Sequence, residues 1–282
     1  MKEPNSAASL MRHNIEAHDI VAELYDAKHG EIYNSVENAR LERTVYDLLG
    51  LLGVPAPAVL DFGAGTGNLS MKFLAKGCRV TALDVSARSL EVLARKAGGI
   101  GEVSLKLLEN ERIPFPDATF NIAACYSVLH HVPDYLFAVK EMVRVLRPGG
   151  ILYIDHEANE MAWSQDPALA AYRHGTRLTR KEHLRQLFHS RELFSFAFAK
   201  TVFMKIFVNP RYEREGDVHV WPDDHIEWDK IAKVLEADST KIIRSQDYLL
   251  YQPRGGAELF ERYRDACSDT RYIFAQKRAG LS

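Results

Sequence analysis

The sequence has few cysteines, little net charge and no long apolar run. Its 282 residues include three cysteines, Cys78, Cys125 and Cys267. Their odd number and wide spacing give neither a disulfide framework nor a zinc-binding pattern, and they suit a reducing cytosol. Lys and Arg total 36 against 38 Asp and Glu, for a formal net charge of −2. This balance gives no reason to expect nucleic acid as a partner.

Membrane and export signals are also lacking. No apolar run approaches the roughly 18 residues that a membrane-spanning helix requires. The first 19 residues contain no apolar core of the kind found in signal peptides. Hydrophobic residues make up 46% of the chain and charged residues 26%, as in ordinary globular proteins. We therefore expect a cytoplasmic protein without a transmembrane segment.

What the chain does have is an alternation of short apolar runs and helical periodicity. Leu41, Val45 and Leu48 mark one face of a helix over residues 35–52. Further helices are expected after the glycine turn at 63–67, after Ser86 and after Asp134. Strands are predicted over residues 58–62, 79–83, 103–107, 121–125 and 151–155. Such alternation predicts a parallel α/β sheet with helices on both faces.

The carboxyl-terminal part continues this pattern after an interruption. A helix is predicted over residues 225–235, and strands over 241–251 and 270–277. The predicted fold is a Rossmann-like, seven-stranded, mostly parallel sheet. Residues 1–157 and 225–282 would form its core, with residues 1–34 as an N-terminal lid segment. Residues 158–224 are interpreted as a substrate cap inserted between strands 5 and 6.

The stretch LDFGAGTGNLS places Gly63, Gly65 and Gly67 directly after a strand that contains Asp61. Alternate glycines let a ligand approach the backbone, and the next helix directs its free N–H groups there. A dinucleotide turn requires a third small residue for close packing. Asn68 and Ser70 occupy the corresponding positions, which disfavours a nicotinamide cofactor.

The acidic residues at the strand ends indicate a different ligand. Asp61 would repel a pyrophosphate but attract an amino group. Asp84, which ends the second strand, could accept two ribose hydroxyls beside the apolar Val85. Glu109 and Asn110 follow the third strand, where a carboxylate could accept an adenine amino proton. Amino acid, ribose and adenine together describe S-adenosylmethionine.

Five segments in order resemble the motifs of class I S-adenosylmethionine-dependent methyltransferases: VLDFGAGTGNLS, TALDVS, IPFPDATFN, YSVLHHVPD and RPGGILYIDHE. The likeness is to the small-molecule branch around the quinone and biotin-pathway enzymes, and it covers about residues 35–157. It implies that an N-terminal segment closes over the cofactor. The cofactor-binding residues it implies are Asp61, Gly63, Ala64, Gly65, Gly67, Asp84, Val85, Glu109, Asn110, Tyr126 and Tyr25.

Candidates for proton transfer follow strands 4 and 5. His131 and His156 have the right ordinary pKa for a general base, and Tyr126 lies near both strand ends. A histidine pair such as His130-His131 often orders a loop in the resembling family. Asp155, His156 and Glu157 are not expected to bind a metal, because adjacent strand residues point to alternate faces.

The predicted insert combines a Lys- and Arg-rich stretch at 170–191 with a Phe-rich stretch that follows it. It could cap an anionic, hydrophobic small-molecule acceptor, or lie on an anionic membrane surface. Strand 4 is followed by CYSVLHHV, without the Asn/Asp-Pro-Pro motif of enzymes that methylate bases, so nucleic acid is disfavoured as the acceptor.

The sequence thus predicts a methyltransferase that acts on a small molecule, at oxygen before nitrogen or carbon. Two alternatives stay open. One is a nicotinamide-dependent oxidoreductase. The other is a non-catalytic subunit that keeps the fold and docks a partner or a membrane through the insert.

Overall fold

A computed structural model describes residue 22 and residues 29–177 and 226–279. Its strands are β1 (Ala58–Phe62), β2 (Arg79–Asp84), β3 (Val103–Leu107), β4 (Phe120–Tyr126), β5 (Leu146–Ala158), β6 (Thr240–Tyr248) and β7 (Thr270–Lys277). Its α-helices are α1 (Ser35–Leu52), α2 (Asn68–Ala75), α3 (Ala87–Ala97), α4 (Tyr135–Val145), α5 (Pro167–Thr176), α6 (Trp228–Ala237) and α7 (Gly256–Tyr263).

The strands form one seven-stranded sheet in the order β3-β2-β1-β4-β5-β7-β6. Strands β1 to β5 pair in parallel, whereas β7 runs antiparallel to both β5 and β6. The predicted Rossmann-like, mostly parallel sheet is confirmed. Because the chain order reverses between β1 and β4, their carboxyl ends flank the crevice in which such sheets bind ligands.

Two apolar layers hold helices to the two faces of the sheet. On one face, Leu41, Val45 and Leu48 of α1 are fully buried with Phe73 of α2. Burial of each such side chain contributes about 1.5–3 kcal/mol, which fixes the helices against the strands. Caps set the helix starts: Asn34 accepts from Glu37 N, Ser86 from Ser89 N and Asp134 from Phe137 N. The predicted helix starts after Ser86 and Asp134 are therefore confirmed.

Strand β5 begins earlier than the sequence predicted. It starts at Leu146 and runs through Pro148-Gly149-Gly150, whereas the sequence predicted a strand over residues 151–155. The pairing with β4 shifts register between Phe120 and Ile122, so this segment forms an irregular strand start. A Cβ on Gly150 would lie 2.9 Å from two backbone oxygens, so only glycine fits there.

The first part of the predicted insert packs onto the carboxyl-terminal region. Leu169 and Tyr172 of α5 are buried with Leu249, Phe260 and Cys267, and α7 was not predicted. Residues 178–225 lie outside the described residues, so the cap stays a prediction. Within the described ranges, no helix has the length and apolar character needed to cross a membrane.

Candidate functional site

A cavity of about 150 Å³ lies at the carboxyl ends of β1 to β4. Among its lining residues are seven that the sequence had singled out. These are Gly63, Ala64, Gly65, Asp84, Val85, Tyr126 and His131. They come from three separate strand ends, those of β1, β2 and β4, and the sheet order brings them together as predicted for a ligand at this edge.

The glycine turn wraps around the end of β2. Gly63 N and Ala64 N both donate to Leu83 O, at 2.8 and 3.1 Å. Gly63 and Gly67 have positive φ angles of 72° and 96°. A Cβ on Gly63 would lie 2.6 Å from the Val128 side chain, and one on Gly67 would overlap Leu93. Both glycines are therefore required by conformation and by packing.

Asp84 connects this turn to the second strand. It is 8% exposed, its Oδ2 accepts from Gly65 N at 2.7 Å, and its Oδ1 accepts from Ser86 N at 2.8 Å. These two bonds fix the carboxylate at the cavity wall. Each of its oxygens retains lone pairs for further donors, as ribose binding would require.

Asp61 is placed differently from the other predicted residues. It is 1% exposed, it is not among the residues that line the cavity, and Ser70 Oγ donates to its Oδ2 at 2.5 Å. Burial raises the pKa of Asp61 to about 7; the Ser70 hydrogen bond lowers it, and the charge of Asp84 raises it. The structure thus places this carboxyl between β1 and α2.

After β3, the cavity is lined by neighbours of the predicted residues. Glu109 and Asn110 are exposed and are not among the cavity-lining residues. Leu108 and Glu111 line the cavity instead, and Leu108 N donates to Asp84 O at 2.8 Å. The strand end was located from the sequence, but which residue of the loop faces the cavity depends on loop geometry.

The N-terminal segment contributes through a residue that was not in the predicted set. Tyr25 lies outside the described residues. Tyr33 lines the cavity, and its hydroxyl lies 2.9 Å from Thr66 Oγ1 in the glycine turn. Lys96 Nζ donates to Thr66 O at 3.0 Å and lies 5.6 Å from the Tyr33 ring. Tyr33 thereby connects the segment before α1 to the glycine turn.

The two adjacent histidines have different positions. His130 is buried, and its Nδ1 lies 2.8 Å from Glu157 Oε2. The other oxygen of Glu157 accepts from the backbone N atoms of Val128 and Leu129, at 2.9 and 2.7 Å. Glu157 and His130 therefore order the loop after β4. His131, in contrast, lines the cavity and is placed to contact a ligand.

His156 is not among the cavity-lining residues. Its φ is +62°, at a point where the pairing of β5 with β7 shifts register. The ring packs against Tyr126 with 4.7 Å between centroids, and Nδ1 lies 3.6 Å from Glu37 Oε1. Its two neighbours bond different partners: Asp155 bonds Arg40, and Glu157 bonds His130.

A buried polar cluster beside Tyr126 was missed from the sequence. Tyr126 Oη donates to Glu37 Oε1 at 2.8 Å, and Arg40 bonds both Glu37 and Asp155. Burial, with the charge of Glu37 next, raises the pKa of Tyr126 well above its ordinary value, so the phenol keeps its proton at neutral pH. The available signal was Glu37, which precedes Leu41 by four residues on the apolar face of α1.

Comparison with known proteins agrees with this geometry. Residues 60–154 match the family model described as "Methyltransferase domain" (Methyltransf_11). The uncharacterized methyltransferase YcgJ of Bacillus subtilis is 34% identical over 132 residues, which cover 45% of this chain and 50% of that protein. The 27-O-demethylrifamycin SV methyltransferase of Amycolatopsis mediterranei is 32% identical over 150 residues, covering 49% and 55%.

A ubiquinone/menaquinone biosynthesis C-methyltransferase of Shewanella sediminis is 37% identical over 106 residues, covering 36% of this chain and 42% of that protein. The chain thus spans about half the length of the curated relatives it matches. Among solved structures, a SAM-dependent methyltransferase from Methanosarcina mazei aligns with a TM-score of 0.53 at 18% identity, over 83% of this chain and 97% of that one. At that identity the likeness shows the fold alone.

Proposed function

We propose that this chain transfers a methyl group from S-adenosylmethionine to a small molecule, because residues 60–154 match the methyltransferase-domain family model. S-adenosylmethionine is the cofactor of that family. The observation that supports the proposal most is the cavity itself. It brings the glycine turn, Asp84 and the loop after β4 to one edge of the sheet.

The residues present fit this cofactor. The positive-φ glycines leave the backbone of the turn open to a ligand, and Asp84 presents a fixed carboxylate for a ribose. Leu108 and Val85 offer apolar surface for a purine. When bound, S-adenosylmethionine supplies an electrophilic methyl group on a sulfonium. The chain's task is then to align an acceptor and exclude water. Such alignment can lower the activation barrier by roughly 7–11 kcal/mol.

His131 is the residue we propose as general base. It lines the cavity, whereas His156 does not, and the protonated phenol of Tyr126 is a hydrogen-bond donor at neutral pH. A general base of this kind raises the reaction rate about 10²–10⁴-fold, and it does so only for an acceptor that must lose a proton. We propose oxygen as the accepting atom. Named relatives include a rifamycin methyltransferase and quinone C-methyltransferases, so carbon is the competing possibility.

We propose that part of the predicted insert forms the acceptor pocket. A deletion that tests this should start after α5, because Leu169 and Tyr172 are buried against Leu249 and Phe260. Replacing residues 178–225 by a short Gly-Ser linker should abolish methyl transfer and leave affinity for S-adenosylmethionine within about threefold. Equal loss of both would show that the segment is not an acceptor cap.

The direct test is transfer of a labelled methyl group to a panel of hydrophobic acids, phenols and quinols. Wild type should label at least one acceptor, and His131→Asn should lower the rate on an oxygen acceptor about 10²-fold or more. His174→Asn, at the exposed end of α5, is the matched control. Binding of S-adenosylmethionine with no labelling, and docking of the chain on anionic vesicles, would favour a non-catalytic subunit.

A further inference from the structure

The cluster behind Tyr126 joins two carboxylates to one guanidinium. Glu37 is 2% exposed and Asp155 is fully buried, and both bond the same guanidinium, Arg40. Burial alone would raise the pKa of Glu37, but His156 and Arg40 lower it to about 2. Asp155 also accepts from Tyr153 Oη and Tyr248 Oη.

One guanidinium therefore serves two buried carboxylates. The guanidinium of Arg40 also stacks on the ring of Tyr248 in β6, with 4.0 Å between Cζ and the ring centroid. Its positive charge is therefore shared between Glu37, Asp155 and this ring. Glu37, Asp155 and Arg40 together sum to one excess negative charge, and the imidazole of His156 lies next to Glu37. Excess charge in a buried cluster favours a cation in the adjoining cavity.

Tyr126 joins this cluster to the cavity. It lines the cavity, and its hydroxyl donates to Glu37 at 2.8 Å. A phenol that donates to a carboxylate has a more electron-rich ring than a phenol in water, and electron-rich aromatic rings attract cations. The carboxylate can thus increase the attraction of Tyr126 for a positive group without touching it.

We propose that Glu37 is a positioning residue that, through Tyr126, makes the cavity prefer the cationic sulfonium of S-adenosylmethionine over the neutral thioether of S-adenosylhomocysteine. The inference rests on the proposed function and adds to it. Substrate and product of methyl transfer differ by this charge and one methyl group, so the Glu37–Tyr126 pair would promote product release.

The experiment is calorimetric titration at pH 8, where an ordinary imidazole is neutral. Wild type, Glu37→Gln and Tyr126→Phe are each titrated with S-adenosylmethionine and with S-adenosylhomocysteine. Glu37→Gln keeps an acceptor for the Tyr126 hydroxyl but removes the charge. Tyr126→Phe keeps the ring and removes the hydrogen bond. Thermal melts establish that each variant is folded.

Each variant should lower the ratio Kd(S-adenosylhomocysteine)/Kd(S-adenosylmethionine) about tenfold, the effect of roughly 1.4 kcal/mol of cation attraction. The matched control is Glu141→Gln. Glu141 is 6% exposed, and it bonds Arg144 three residues on, as Glu37 bonds Arg40, but it is not among the cavity-lining residues. The ratio of the two dissociation constants in Glu141→Gln should equal that of wild type.

An unchanged ratio in both variants, or equal weakening of both ligands, would overturn the inference and leave Glu37 with a structural role. If Glu37→Gln does not fold, the ratio in Tyr126→Phe decides the question alone. Failure of wild type to bind either ligand would instead refute the proposed function, so the two failures are distinguishable.

Discussion

The raised pKa of Asp61 predicts how the free energy of unfolding depends on pH. Burial raises this pKa from 3.8 to about 7, although Ser70 Oγ donates to the carboxylate. A group whose folded-state pKa exceeds its unfolded value favours folding at low pH. Its contribution is fully present below about pH 4 and is lost as pH rises towards 7. We therefore expect Asp61 to make the protein less stable at pH 8 than at pH 5.

The size of the effect follows from the two pKa values. For a shift from 3.8 to about 7, linkage gives a loss of roughly 2.5 kcal/mol between pH 5 and pH 8. Asp61→Asn has nearly the same shape, can still accept from Ser70, and does not titrate. Its buried amide N–H groups would cost about 1–3 kcal/mol if unpaired, but that cost is the same at both pH values.

The assay is urea unfolding of wild type and Asp61→Asn at pH 5 and at pH 8. The free energy of unfolding of the variant, relative to wild type, should rise by roughly 2.5 kcal/mol from the lower to the higher pH. Asp265→Asn is the control, because that side chain is 95% exposed. Identical pH dependence in wild type and Asp61→Asn would refute the reasoning, since Asp61 would then be ionised throughout.

Three further predictions test the turn, the buried thiols and the loop after β4. Gly67→Ala should lower stability by about 3 kcal/mol or more in thermal melts, because the added Cβ would overlap Leu93. Gly77→Ala is the control: Gly77 also has a positive φ, but a Cβ there would meet no atom of the described residues within 4 Å, so this change should cost about 1 kcal/mol. Cys125 is fully buried with its pKa raised well above 9 by burial, so it should react with a disulfide reagent only after unfolding; labelling of the native protein would contradict the packing of β4. Glu157→Gln should weaken the contact to His130 and destabilise the fold by about 1–3 kcal/mol in urea, and an unchanged midpoint would show that this carboxylate does not order the loop.

Much of the fold could be predicted because its signals are local. The apolar period of α1, the caps at Ser86 and Asp134, and the glycine turn each depend on a few adjacent residues. The positions of Asp84 and Tyr126 at the cavity then followed from sheet topology, since parallel strands end at the same edge.

What could not be predicted depends on contacts between distant residues. Glu37 and Arg40 are charged residues on a helix, and only the packing of α1 against β4 and β5 shows that they are buried with Tyr126 and Asp155. Likewise, Asp61 precedes the glycine turn in sequence, but its side chain bonds Ser70 and is not among those that line the cavity. Sequence order located the strand ends, and tertiary packing decided which side chains face the cavity.

The central claim is that the cavity holds S-adenosylmethionine through the turn and Asp84. The most direct measurement is calorimetric titration of wild type, Asp84→Asn and the exposed control Asp265→Asn with S-adenosylmethionine. Wild type and the control should bind with equal, micromolar affinity, and Asp84→Asn should bind at least tenfold more weakly because its amide also perturbs the bond to Gly65 N. Folded wild-type protein that binds no S-adenosylmethionine, or Asp84→Asn that binds as tightly as wild type, would contradict the account.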